Sequence, residues 1–278
     1  MASSAGTAFV PSAASERSGQ LPRPAGIPWL TQNTASATPQ DNVPDDATRL
    51  EQLYRAAAQR YATIQDYVCR FRRREVLANG TTSEDLILLR FRKQPHSIHF
   101  VWPRGTPDEG REVVYVQGRF NNHLVARTGK GDWLAGLRVE LALDSPRATA
   151  NTRRSFLEVG VGYLVESLGQ ALREQRQGTY RFGRLRYLGQ QARPESATPM
   201  QCLVQEVPPG LEKYLPRGGK RYFFLATDPR VQECGLPVLV ITQDENGREV
   251  EYYCYDRFSV NIGLTDADFD PDHLWGKK

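Results

Sequence analysis

Two long runs of period-two alternation, separated by a helical block, set the tightest limit on what this chain can fold into. Tyr67, Cys69 and Phe71 alternate with Val68, Arg70 and Arg72, the pattern of a strand with one buried and one wet face. Asn79-Gly80 follows, a dipeptide that accepts the positive φ of a tight hairpin turn. The return segment carries Ile87, Leu89 and Phe91 on one face and Leu88, Arg90 and Arg92 on the other. After a break at Gln94-Pro95 come Ile98, Phe100 and Trp102, then Val113 to Val116, and after Gln117-Gly118 a run from Phe120 to Val125. Strands resume at 180–188, 201–207, 221–226, 237–242 and 249–258, the last two flanking the turn Asp244-Glu245-Asn246-Gly247. Reversals this frequent imply antiparallel pairing through short connections.

Helical periodicity appears in two places. Pro44-Asp45-Asp46 offers a carboxylate to cap free backbone N–H groups, and Leu50, Leu53, Tyr54, Ala57 and Tyr61 then form one apolar stripe, predicting a helix of about four turns. Ser155-Phe156-Leu157-Glu158 matches a capping box. The stripe Leu157, Val161, Leu164, Val165, Leu168 and Leu172 follows it, with Gly160, Gly162 and Gly169 inside. Those glycines let the helix approach the sheet closely or let it bend. The fold class expected is α+β, mainly antiparallel β: one strongly curved sheet, an open half-barrel of about ten strands, with helices covering its concave side. Residues 208–219, rich in Pro and Gly, are expected to form a mobile rim loop.

Residues 1–44 are rich in Ala, Ser, Thr, Pro and Gln, with one apolar spot at Ile27, Trp29 and Leu30. Such a segment buries too little apolar surface to offset ordering entropy and reads as a disordered linker, leaving a domain at 45–272 and a tail at 273–278. The balance of 36 basic and 32 acidic side chains, net +4, gives no reason to expect nucleic acid. No stretch approaches the roughly 20 apolar residues of a membrane span. Met1-Ala2-Ser3-Ser4 shows no basic region leading into an apolar one, so no export signal is visible. Cys69, Cys202, Cys234 and Cys254 lack C-x-x-C spacing, which argues against structural zinc; a disulfide and buried free thiols both remain open.

The chain contains no G-x-S-x-G elbow, phosphate loop or H-E-x-x-H motif. Arg217-Gly218-Gly219-Lys220 lacks the strand and helix of a phosphate cradle, and Gly160-Val161-Gly162 lacks the third glycine of a dinucleotide fingerprint. His96 and His99 would point to opposite faces of a strand and read as surface or turn residues. Asp266, Asp268, Asp270 and Asp272 imitate half a calcium loop, but Pro271 stands where glycine is needed, so a solvated acidic turn with Phe269 tucked under the sheet is expected. No catalytic residue, metal or cofactor is predicted. Arg70, Arg72, Arg90 and Arg92 fall on one outer face. They form either a patch for anionic headgroups or another anionic partner, or a solvated face that protects an edge by charge.

Four segments, Tyr67-Val-Cys-Arg-Phe-Arg-Arg-Arg-Glu75, Leu88-Leu-Arg-Phe-Arg-Lys-Gln-Pro95, Gly110-Arg-Glu-Val-Val-Tyr-Val116 and Gly263-Leu-Thr-Asp-Ala-Asp-Phe-Asp-Pro271, resemble the bacterial domain-of-unknown-function family 1571 over roughly residues 48–272. The helix–meander–helix–meander plan is similar to that of the lipoprotein-localisation carriers and of a periplasmic sensor of envelope stress. That resemblance implies a half-barrel closed by helices around a hydrophobic cavity that takes acyl chains. It implies a periplasmic or cell-envelope setting, no enzymatic step, and a lipid or lipoprotein as ligand with peripheral membrane contact. The alternative is a sensor or scaffold that binds an envelope protein through the outer sheet face and keeps a filled core. By the same analogy the cavity residues would be Phe71, Ile87, Leu89, Phe91, Ile98, Phe100, Leu164, Leu168 and Phe224, with the glycine-bearing helix as lid.

Overall fold

The structure, a computed structural model, describes residues 45–277; the apolar spot at Ile27, Trp29 and Leu30 lies outside them. Helix α1 (Asp46–Ala62) begins at Asp45, whose carboxylate accepts the Thr48 N–H at 2.7 Å. The first meander comprises β1 (Asp66–Val76), β2 (Thr82–Arg92), β3 (Ser97–Val101), β4 (Glu112–Val116), β5 (Leu124–Arg127) and β6 (Arg138–Leu141). A short helix α2 (Pro146–Thr149) and a long one, α3 (Gly160–Arg176), separate it from the second. That meander is β7 (Arg184–Gln191), β8 (Met200–Val207), β9 (Gly219–Leu225), β10 (Pro237–Asp244) and β11 (Glu249–Val260), and α4 (Pro271–Trp275) ends the described chain.

All eleven strands form one antiparallel sheet in the order β6-β5-β4-β3-β2-β1-β11-β10-β9-β8-β7. The first strand meets the last at its centre, with Phe71 opposite Tyr255 and Arg73 opposite Tyr253, and β6 and β7 leave the sheet open. Residues directly opposite share a face, so Cys69, Leu89, Phe100, Val113, Ala126 and Val139 form one inward row across six strands. Leu141 of β6 and Tyr253 of β11 line a single cavity although six strand spacings, about 29 Å in a flat sheet, separate them. The sheet is therefore strongly curled. One strand more than the sequence reading suggested is present, because β6 is too short to show alternation. The run from Phe120 is also shorter than expected: Phe120, Asn121 and Asn122 take φ of 50°, 52° and 56°, which delays β5 to Leu124.

The capping box does not start the helix. Ser155 Oγ accepts only the Leu157 N–H, at 3.4 Å, and α3 begins at Gly160, whose own N–H donates to the Tyr255 hydroxyl at 3.1 Å. The glycines serve close approach, not bending. A Cβ at Gly160 would lie 2.3 Å from the Tyr67 hydroxyl, at Gly162 2.1 Å from that of Tyr61, and at Gly169 2.4 Å from that of Tyr54. Two tyrosines of α1 and one of β1 thus key α3 into place. The rim loop is tied down as well: Leu215 is buried, Glu212 pairs with Arg221 at 2.5 Å, and the Tyr214 carbonyl accepts from Arg153.

The chain's last segment straps the outer face. Phe269 packs on Val114 and Val116 with Phe120, Leu264, Leu274 and Trp275 around it, while Asp268 and Asp270 cap short helices. His99 lies under this strap, fully buried, which corrects its reading as a surface residue. Arg90 can only donate to Nδ1, at 2.9 Å, so Nε2 carries the proton given to Glu112 at 2.8 Å. Burial lowers the His99 pKa, and the Glu112 hydrogen bond opposes that only in part.

Gly160→Ala is expected to be the costliest of the three glycine substitutions, about 1–3 kcal/mol, because Gly160 combines φ of +86° with a fully buried neighbour. Tyr61 is half-buried and can swing away from Gly162→Ala at lower cost. Thermal denaturation of both variants, and of Gly160→Ala with Tyr67→Phe, checks this; the double variant should recover part of the loss.

Candidate functional site

A cavity of about 410 Å³ opens on the inner face of the first meander, within the range of about 300–1,000 Å³ usual for small-molecule sites. Its floor is the inward row Phe100, Val113, Ala126 and Val139, extended by Phe71 and Tyr255. Its roof is the segment 147–159, where Phe156 brings its ring centroid 4.6 Å from that of Phe100. That segment has no apolar period, so nothing in the sequence announced the roof.

One end of the cavity is ionic. Glu251 is 0% exposed. It accepts from Arg154 Nε at 2.9 Å and Nη2 at 3.1 Å, with Arg153 at 3.4 Å and Arg221 at 3.7 Å. Burial pushes the Glu251 carboxyl pKa up, but attraction to Arg154 and Arg221 outweighs that and holds it at about 2. Arg153 also donates to the carbonyls of Val76 and Tyr214, so two consecutive arginines bolt the roof to β1, β11 and the rim loop. Beside them Arg73 pairs with Asp85 at 2.5 Å, the Trp102 indole donates to Asp85 at 2.7 Å, and the Tyr253 hydroxyl donates to Glu75. The arrangement offers an apolar trough walled off at its inner end by side chains that are already paired. It can exclude water from a chain and keep its position.

Of the residues the sequence suggested for the cavity, Phe71 and Phe100 line it. Ile87, Leu89, Phe91 and Ile98 share that face but are packed into the core, Phe91 stacking on Tyr67 at 4.9 Å. Leu164 and Leu168 are buried on α3, which is keyed to α1 and the sheet; the roof is the 147–159 segment and not the glycine-bearing helix. Phe224 lies on the opposite face, in register with Leu239, Cys254 and Arg72, because its neighbour Phe223 takes the inward position opposite Val240 and Tyr253. Sequence reasoning missed Val113, Ala126, Val139 and Phe156; stepping across strands from Phe100 would have found the first three.

The outer arginines are engaged. Arg70 grips Asp256 through two bonds of 2.7 and 2.5 Å, and Arg72 reaches Asp256 at 3.4 Å and Cys254 Sγ at 3.2 Å. Arg90 bonds His99, and Arg92 pairs with Asp266 at 2.8 Å over the Phe269 ring. β1 and β2 are interior strands, so these charges guard no edge. The four cysteines are free. Burial pushes the Cys202 thiol up to about 12 and raises Cys69 and Cys254, which makes them poor nucleophiles.

The Glu251 cluster ties stability to pH. Its folded pKa lies below the ordinary 4.5, so its contribution is complete above about 4.5 and is lost as pH falls towards 2. Glu251→Gln should flatten acid denaturation across that interval. Glu251→Ala, which strands Arg154, should cost about 3–5 kcal/mol at neutral pH. Urea melts at several pH values measure both.

Comparison with known proteins returns solved structures of low identity. The lipoprotein LppX of Mycobacterium tuberculosis is 13% identical, covering 78% of this chain and 98% of that one at a TM-score of 0.44. A putative outer membrane lipoprotein-sorting protein domain from Vibrio parahaemolyticus is 9% identical, covering 82% and 100% at 0.41. The MucA/MucB complex of Pseudomonas aeruginosa gives 15% identity, covering 80% and 60% at 0.39. Curated proteins yield no match. A family match spans residues 64–274, and by it this chain belongs to the family described as protein of unknown function, DUF1571.

Proposed function

We propose that the protein binds and holds an amphiphile with an acyl chain, without chemical transformation, in the cavity between the first meander and the 147–159 roof. The observation that carries this reading is the mismatch between floor and roof. Curling the sheet brings Phe71, Phe100, Val113, Ala126 and Val139 around a space their own side chains do not fill. Leaving about 410 Å³ beside such a wall forfeits the dispersion contacts a filled core would make, and a bound chain would restore them.

The envelope setting implied by the family resemblance accompanies this reading; no helix among the described residues is long and apolar enough to cross a membrane. The scaffold alternative has less support, since Arg70, Arg72, Arg90 and Arg92 are held by partners within the chain.

Native mass spectrometry of the purified protein, followed by organic extraction, tests the proposal. Bound lipid, or uptake of added dodecanoate, is expected. Ala126→Phe should fill the trough and reduce uptake at least tenfold with little change in melting temperature, because Ala126 lines the cavity and the added ring has that space to enter. A protein that stays free of ligand and takes up none, or uptake indifferent to Ala126→Phe, would overturn it.

A further inference from the structure

Among the described residues, two that line the cavity carry a buried side-chain oxygen with no hydrogen-bond partner, and both are carboxylates: Glu75 and Glu158, each at Oε2. Glu75 is 1% exposed on β1. Its Oε1 accepts from the Tyr253 hydroxyl, but Oε2 has only the Arg73 guanidinium at 3.7 Å, beyond hydrogen-bond reach. Glu158 stands in the roof, with Arg154 at 3.6 Å from its Oε2. The two belong to one wall, since the Tyr253 hydroxyl lies in the fields of Glu75, Glu251 and Arg154 together. Their charges are answered and their acceptor capacity is not. A buried acceptor without a donor carries the full cost of its desolvation, and so calls for a partner that the chain itself does not supply.

The same wall disfavours an anionic head. Five arginines and three carboxylates line the cavity. Around them, Arg73 faces Asp85 at 2.5 Å, Arg111 faces Asp108 at 2.9 Å and Arg127 faces Glu112 at 3.7 Å. Arg154 faces Glu251 at 2.9 Å and Glu212 at 3.5 Å. These further carboxylates turn the excess acidic, and Arg153 and Arg221 on Glu251 bring it back to near balance. Every lining arginine except the exposed Arg147 is thus matched among the described residues. A fatty-acid carboxylate would bring two more acceptors to a wall already short of donors. A balanced wall with spare acceptors fits an uncharged donor, a hydroxyl, better than either ion. The volume sets the size: at roughly 30 Å³ per non-hydrogen atom, the share of one water in the liquid, the 410 Å³ holds about fourteen atoms, one chain with a small head.

We infer that the cavity takes a single-chain, uncharged amphiphile whose head carries hydroxyl groups, the chemistry of a monoglyceride, and that those hydroxyls donate to Glu75 and Glu158. Each carboxylate turns about a broad terminal torsion, which lets its uncommitted oxygen meet the donor. The inference rests on the acyl-binding reading and narrows it to a class of head.

The test is calorimetric titration of the full chain, at neutral pH and below micelle formation, with two probes that share chain length and number of oxygens: 1,2-dodecanediol and dodecanoate. The diol is expected to bind at least tenfold more tightly. Glu158→Leu should cut that ratio at least fivefold, and Glu158→Gln, which keeps an acceptor oxygen, should cut it less. Melting curves show whether both variants are folded, and the ratio in the unaltered protein decides the matter without them. Equal affinities would overturn the inference and leave water as the donor to both carboxylates. Tighter dodecanoate would overturn it by moving the head to Arg147, and so would a ratio indifferent to Glu158→Leu in a folded variant. The acyl-binding reading survives each of those results, because the chain still binds; it falls, and this inference with it, if neither probe is taken up.

Discussion

A carboxylate with no solvent exposure stays charged only where its surroundings replace the water it has lost. Glu251 meets that condition through Arg154, which approaches it along two N–H directions, with Arg153 and Arg221 completing the ring. The constraint reaches far beyond one pair. Arg153 and Arg154 belong to a stretch with almost no regular structure, and their bonds to β11, to the Val76 carbonyl and to Tyr214 are what hold that stretch over the sheet. The roof meets the floor where Phe156 packs on Phe100. Beside that contact, guanidinium groups, long and confined to fixed bonding directions, anchor the stretch to the sheet, and the cavity lies in the space left around them. The rim loop is fixed by the same ring, through Glu212 to Arg154 and Arg221.

The helices solve a different problem. The inner face of the second meander is covered by α3, and α3 is located by three glycines that admit tyrosine hydroxyl ends from β1 and α1. Such keying tolerates little sliding, because at each glycine the helix backbone approaches a tyrosine hydroxyl more closely than any Cβ would allow. A helix fixed at three points along its length makes a poor lid. The half of the sheet under α3 is core, and the half under the 147–159 segment is trough, so one continuous sheet serves as scaffold at one end and receptacle at the other.

What the sequence revealed follows from which interactions are local. Alternation such as Tyr67, Cys69 and Phe71 reports a half-buried strand whatever its partner, and the stripe Leu50, Leu53, Tyr54, Ala57 and Tyr61 reports a helix in the same way; both were legible. Strand order near the turns was legible too, because short connections force neighbours to pair. Face assignment in the second meander was not: Phe223 and Phe224 are both aromatic, and only pairing to β10 decides which one looks inward. The Ser155–Glu158 motif misled because its local bonding competes with the hydrogen bond between Gly160 and Tyr255, a contact 95 residues apart in sequence. His99 looked like a surface residue since nothing nearby announces that the strap around Phe269 will cover it. The roof was invisible for the most general reason, that its structure is made by ion pairs to distant strands.

This division of labour bears on how a ligand could enter. The inner end of the trough is closed by Glu251 and its arginines, where every opening would separate buried charges at a cost of several kcal/mol. The long sides are hydrogen-bonded strands on one hand and the 147–159 segment on the other. The side towards β5 and β6 differs: β6 is a four-residue edge strand paired on one side only, and the loop before it is polar at its base and apolar at its tip. Local opening is easiest where few buried contacts are broken, and here that condition coincides with the cavity lining at Leu137, Val139 and Leu141. The fold thus concentrates its rigidity at one end of the trough and leaves its shortest edge strand, β6, at the other.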